Sequence, residues 1–157
     1  YDSELGSFTQ SYGSRQLDAS LLLLALVGFL PPSDHRIEGT VRAIETSLMQ
    51  NGLVRRYETD RTDDGLPGSE GVFLACSFWL ADTYLLLGRR EDARRLFEHV
   101  LSLCNDVGLL SEKYDVSKGR MLGNFPQALS HIGLINTAHN LMHRAKPAEQ
   151  RAGHKLK

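Results

Sequence analysis

The chain has 157 residues, 41% of them hydrophobic and 24% charged, with a formal net charge of −1. That balance suits one soluble globular domain or one piece of a larger one. Lys and Arg are scattered with no basic stripe, which argues against nucleic acid, and the longest apolar run, Leu21 to Leu30, falls well short of the roughly 20 residues of a membrane span.

A first helix is predicted after Asp18, a good N-cap, and runs to about Leu30, where Pro31 and Pro32 stop it. Its apolar residues go all round, the pattern of a buried helix. A second begins after Ser33 or Asp34, with Ile37, Val41, Ile44 and Leu48 on one stripe and Gly52 at its end. A third spans about Ser69 to Leu87, closed by Gly88, and is again apolar on most sides, with Phe78 and Trp79 read as core. A fourth, about Glu91 to Cys104, sets Leu96, Phe97, Val100 and Leu101 against Arg94, Arg95 and Glu98. A fifth begins near Asn124 with Pro126 in its first turn and carries Leu129, Ile132, Ile135 and Met142. One domain is expected over 1–147, and a polar tail over 148–157.

The first, third and fifth helices are therefore apolar all round and read as buried, and they alternate with the one-sided second and fourth. Tight turns join the first to the second and the third to the fourth, whereas long loops lie between Asn51 and Gly68 and between Asn105 and Gly123. This describes two concentric helical layers, with both long loops on one rim beside the N-termini of the third and fifth helices. Long loops on a rigid scaffold are where function concentrates. Cys76 and Cys104 show no CxxC or CxxxH spacing, so a zinc site is not expected, and both read as buried thiols of a cytoplasmic protein. No targeting segment opens the chain, and its abrupt polar start at Tyr1 reads as cut from something longer.

The strings YGSRQLDASLLLLALVGFLP, VRRYETDRTDDGLPGSEGVFLACSFWLADTYLLLGR and NDVGLLSEKYDVSKGRMLGNFPQALSHIGLIN resemble the C-terminal half of the catalytic domain of glycoside hydrolase family 15. The likeness covers roughly Gln10 to Leu141 and is strongest to the bacterial, trehalase-like branch. It implies an all-α fold, part of an (α/α)6 toroid, and inverting hydrolysis of an α-glucoside or trehalose. That chemistry places two carboxylic acids about 6.5–9.5 Å apart across the scissile bond, one protonating the leaving oxygen and one activating water. By the resemblance, Glu112 in LLSEKYD is the general base. The general acid belongs to an earlier hairpin, with no candidate in this chain, so the chain is expected to need the missing N-terminal part of the same polypeptide. Alone it should be inactive and expose apolar faces prone to self-association. No metal or organic cofactor is required.

The same resemblance offers Arg56 in VRRY as a sugar-binding residue, since a guanidinium fork suits paired hydroxyls. Tyr57 would wall the pocket or merely pack. Glu70 would accept sugar hydroxyl protons or sit as a first-turn acid on the helix dipole. Gln127 and His131 would face the pocket or serve as capping and core groups, and Tyr114 would orient the base. Asp18 is explained by its N-cap alone.

Two rivals remain. The stretch FWLADTYLLLGRREDARRLFEHVLSL resembles one tetratricopeptide unit and would make a non-catalytic, protein-binding module. A solenoid, however, needs at least three units at a period of about 34 residues, and the flanking segments do not repeat. A terpene cyclase or polysaccharide lyase on the same ring of helices is the other. TDRTDDG is acidic but lies in a loop without helical spacing, and the Tyr, His and Arg arrangement of a lyase is missing.

Overall fold

The structure is a computed structural model, and it describes residues 1–58 and 71–142. The predicted tail, Glu70 and the whole TDRTDDG stretch lie outside the described residues. A 3-10 turn, Ala19–Leu22, leads directly into α1, Leu23–Leu26. Asp18 starts this segment with its side chain accepting the Ser20 amide at 2.7 Å. The helix ends four residues before Leu30, where Val27 caps it and Gly28 turns the chain at φ +75°.

Helix α2, His35–Leu48, begins where its cap predicts. The Asp34 side chain accepts the Arg36 amide at 2.9 Å, and the Arg36 guanidinium grips the same carboxylate at 3.0 and 2.8 Å. That grip, reinforced by the amide bond, holds the Asp34 carboxyl well below the usual carboxylate range. Ile37, Val41, Ile44 and Leu48 form the buried stripe.

Beyond α2 the chain is helix-rich but not purely helical. Strands β1, Met49–Gln50, and β2, Leu53–Val54, form a hairpin with Met49 opposite Val54. Asn51 at φ +49° and Gly52 at φ +77° make its two-residue turn, the left-handed pair that matches strand twist. Gly52 therefore turns a hairpin rather than ending the helix. A second sheet takes β3, Val72–Phe73, β4, Lys113–Asp115, and β5, Arg120–Leu122, in the antiparallel order β3-β4-β5. It unites the two loop regions flanking the third and fifth helices.

Helix α3, Leu74–Leu86, is buried on most sides and packs against α4, Arg90–Leu101, against α5, Ala128–Met142, and against the Ala19–Leu26 segment. Phe78 is fully buried and Trp79 half-buried, both in the core as read. Gly88 at φ +76° closes the α3–α4 turn. Helix α4 buries Ala93, Leu96 and Val100 and exposes Arg94, Arg95 and Glu98. Below this turn the Tyr84 hydroxyl donates to Glu45 at 2.6 Å, and Arg89 reaches Glu45 and Asp92 at 2.8 Å each, tying α2, α3 and α4 together.

Helix α5 starts at Ala128, so Pro126 precedes it, following a cis Phe125–Pro126 peptide. Its close approach to α3 depends on Gly133, where a Cβ would lie 2.7 Å from the Phe78 ring. The buried Asp82 accepts from Asn140 at 3.0 Å across the same contact. On its other side α5 exposes Leu129, Ile132, Ile135 and Met142, so the enclosure expected from its apolar pattern is not found among the described residues. Cys76 is buried and Cys104 half-buried; both are free, and burial pushes both thiols up. Among the described residues no helix is long and apolar enough to cross a membrane.

Candidate active site

The site is built around the first residue of α3. The Leu74 amide has no intrahelical partner available, because the first turn of any helix leaves its donors unpaired. It donates instead to the Glu112 carbonyl at 3.1 Å. Glu112 thus sits immediately before β4, where β4 pairs with β3: Phe73 lies opposite Lys113 and Val72 opposite Tyr114. Gly71 allows this pairing, since a Cβ there would meet the Tyr114 carbonyl oxygen at 2.5 Å.

The approach to Glu112 is fixed from the other side by the start of α5. Gln127 donates its amide to the Leu110 carbonyl at 2.9 Å, and the Ser130 hydroxyl donates to the Ser111 carbonyl at 2.7 Å. Leu110 and Ser111 are both fully buried, whereas Glu112 is half-exposed. Its amide donates to the Asn124 carbonyl at 2.9 Å. Its carboxylate Oε2 accepts the Asn124 amide at 3.2 Å and the Asn124 side-chain Nδ2 at 3.0 Å. Among the described residues its second oxygen, Oε1, makes no hydrogen bond. One carboxylate oxygen is thus tethered and the other left for solvent or a ligand.

A second group of residues reaches the same end of α3 through β2. The Val54 amide donates to the buried Ser77 hydroxyl at 3.0 Å, which brings the chain after Val54 alongside the first turn of α3. Arg56 and Tyr57 follow. The Ala19 amide donates to the Arg56 carbonyl at 2.7 Å, and Asp18 pairs with Tyr57 in an isolated antiparallel bridge. Asp18 Oδ2 stands 3.6 Å from Arg56 Nε, and the Arg56 guanidinium lies 5.6 Å from the centre of the Tyr57 ring. The buried Cys76 thiol in the first turn of α3 is pushed up chiefly by its burial.

Glu112 is thus tied by its main chain to the start of α3, and Arg56 and Tyr57 to the Asp18–Ala19 segment that leads into the turn packed on the same helix. Gln127 and His131 are placed differently. The His131 Nδ1 lies 2.7 Å from the Gln127 carbonyl, and its Nε2 accepts the Leu110 amide at 3.3 Å. Both ring nitrogens meet the backbone, so His131 fastens the loop to α5. Gln127 has its amide, carbonyl and side-chain oxygen in helix-start contacts, the last accepting the Leu129 amide at 3.4 Å. Both fit the capping alternative. The Tyr114 ring is half-buried against the core, its hydroxyl near Gly119 at the far turn of the β4–β5 hairpin, and no hydrogen bond joins it to the Glu112 carboxylate. The group that hydrogen-bonds this carboxylate is Asn124, which sequence reading passed over as a helix start.

Asp18 is the other missed residue. One of its oxygens caps the Ala19–Leu22 turn, but the other faces Arg56, so the cap is only half of its role. Among the described residues no group of three or more His, Cys, Asp or Glu is arranged to hold a metal ion. A shallow groove of about 200 Å³, lined by Glu38, Val41, Arg42, Leu87 and Arg89, lies at the opposite end of α3.

Comparison with known proteins matches residues 1–139 to Glycosyl hydrolases family 15. A trehalase of Mycobacterium tuberculosis is 46% identical over 144 residues, covering 92% of this chain and 21% of that protein. A trehalase of Thermoplasma acidophilum is 47% identical over 142 residues, covering 90% of this chain and 24% of that protein. The chain thus spans about a quarter or less of the curated relatives it matches. A solved glycosidase in complex with glucose superposes with a TM-score of 0.75 at 21% identity, covering 87% of this chain and 39% of its own. That likeness shows a shared glycosidase fold. These matches do not favour the tetratricopeptide reading.

Proposed function

The chain belongs to Glycosyl hydrolases family 15, and from that premise we propose that it is the base-bearing part of an inverting α-glucosidic hydrolase. Trehalose is the first substrate to test, because the curated relatives are trehalases; α-glucan oligosaccharides are the second. In this reading Glu112 removes a proton from water as the water attacks the anomeric carbon. The observation that carries it is the state of that side chain: half-exposed, with Oε2 tethered to Asn124 and Oε1 unengaged. A carboxylate held in this way is positioned and still has a basic oxygen to offer.

The general acid lies in the portion of the relatives that this chain does not cover, across a gap of about 6.5–9.5 Å that leaves room for water. Arg56, steadied by Asp18, donates to sugar hydroxyls, and Tyr57 forms a wall beside it. Glu70 accepts from another hydroxyl. The helices form part of an (α/α)6 toroid, and the exposed stripe on α5 is where further hairpins pack; without them that stripe drives self-association.

The test is the full-length polypeptide assayed on trehalose, maltose and isomaltose, with the anomer of the released glucose followed. Glu112→Gln should lose a factor of about 10²–10⁴ in rate. Near-wild-type activity, or release of glucose with its anomeric configuration retained, would end the reading.

A further inference from the structure

We infer that Asn124 is the positioning residue for the Glu112 carboxylate; this rests on Glu112 being the base. The geometry is specific. The side-chain amide end facing Oε2 must be the NH2 group, because a carboxylate offers only acceptors. Backbone amide and side-chain amide of the same residue converge on one oxygen, at 3.2 and 3.0 Å. The preceding Gly123 makes space for this: a Cβ there would stand 2.8 Å from Oε2 and 3.1 Å from the Glu112 Cβ. The main-chain pairing of Glu112 with Asn124 would exist with any residue at 124. Only the Nδ2 contact depends on its being asparagine.

Two donors on one oxygen stop the carboxylate from rotating about its last torsion, so Oε1 stays turned outward. An aspartate at 124 would replace a donor with a second carboxylate at the same place, and repulsion would swing Glu112 away. Asn124 is itself exposed, so its side chain contributes little to the core, and its substitution should leave the fold intact.

The experiment measures kcat and KM of the full-length polypeptide on trehalose, or on maltose if trehalose is not cleaved. Asn124→Ala should lower kcat about 10- to 100-fold, the usual consequence of losing alignment at the reacting centre, with KM little changed. Asn124→Ser, which retains a short donor, should recover part of the loss, and it is read in place of the alanine variant if that variant melts early. In a Glu112→Gln background Asn124→Ala should cost nothing further, because a residue acting through Glu112 has nothing left to align. An unchanged kcat in the single variants, or a loss that simply adds in the double variant, overturns the inference while leaving Glu112 as the base. Near-wild-type activity of Glu112→Gln overturns both.

Discussion

Gly123→Ala separates the strain of the loop from the geometry of the carboxylate. Gly123 adopts φ +75°, where an alanine costs about 1–2 kcal/mol. The added Cβ would also stand 2.8 Å from Glu112 Oε2 and 3.1 Å from the Glu112 Cβ, closer than ordinary contact. The half-exposed carboxylate end swings aside, but the Glu112 Cβ is fixed to its backbone, so the loop must also yield by a few tenths of an ångström there. The expected stability loss is therefore at least the backbone cost, about 1–2 kcal/mol, or about 2–8 °C in melting temperature for a chain of this size. The expected activity loss is much larger, about 10- to 100-fold in kcat, because the displaced carboxylate leaves both Asn124 donors. Gly108→Ala is the control: Gly108 has φ +77° and nothing within 4 Å of its added Cβ. It should show a similar loss by urea or thermal denaturation of this chain, with kcat of the full-length polypeptide unchanged. Equal kinetic damage from both variants, or none from either, would refute the reasoning.

Thiol labelling should distinguish the two cysteines, since the thiolate is the reactive form. Cys104, half-buried, should react with a disulfide reagent while the protein is folded, and Cys76, raised mainly by its burial, only on unfolding. The exposed α5 stripe, with Ile132 at 54% and Ile135 at 63%, should drive concentration-dependent association of the isolated chain, measured by light scattering. Ile135→Lys should shift it toward monomer, and an unchanged distribution would show that this face is not the contact.

Much of the helical framework was legible because its signals are local. Asp34 caps α2 with its own side chain, the Ile37–Leu48 stripe repeats at helical spacing, and the all-round apolar composition of α3 fits its buried place. The strands were not read, because two- or three-residue strands are too short to show alternation. Only Asn51-Gly52 carried a hairpin signal, and its glycine was read as a helix stop. The burial of α5 failed for a different reason: an apolar face predicts a partner but does not supply one, and no described element covers Ile132 or Ile135.

At the site, sequence order placed Glu112 before the fifth helix but gave no indication of its neighbours. Side-chain type does not say whether a ring faces a sugar or the main chain. His131 spends both nitrogens on Gln127 and Leu110, and Asn124 turns its amide back across a hairpin to a residue twelve positions earlier. Such partners are chosen by tertiary geometry. Asp18 shows the converse: a complete local explanation, the cap, concealed a second contact with Arg56.

The hydrogen bond from Leu74 to the Glu112 carbonyl joins the outermost chemistry of the molecule to its innermost helix. Opening the start of α3 removes one of the main-chain ties on Glu112, and displacing Glu112 leaves an unpaired amide at a buried residue. The two events therefore share one local opening equilibrium. A sugar that binds only the closed arrangement would slow solvent exchange at the Leu74 amide. By the same route, a cavity made beside α3 in the interior would loosen the carboxylate well before the protein as a whole came apart.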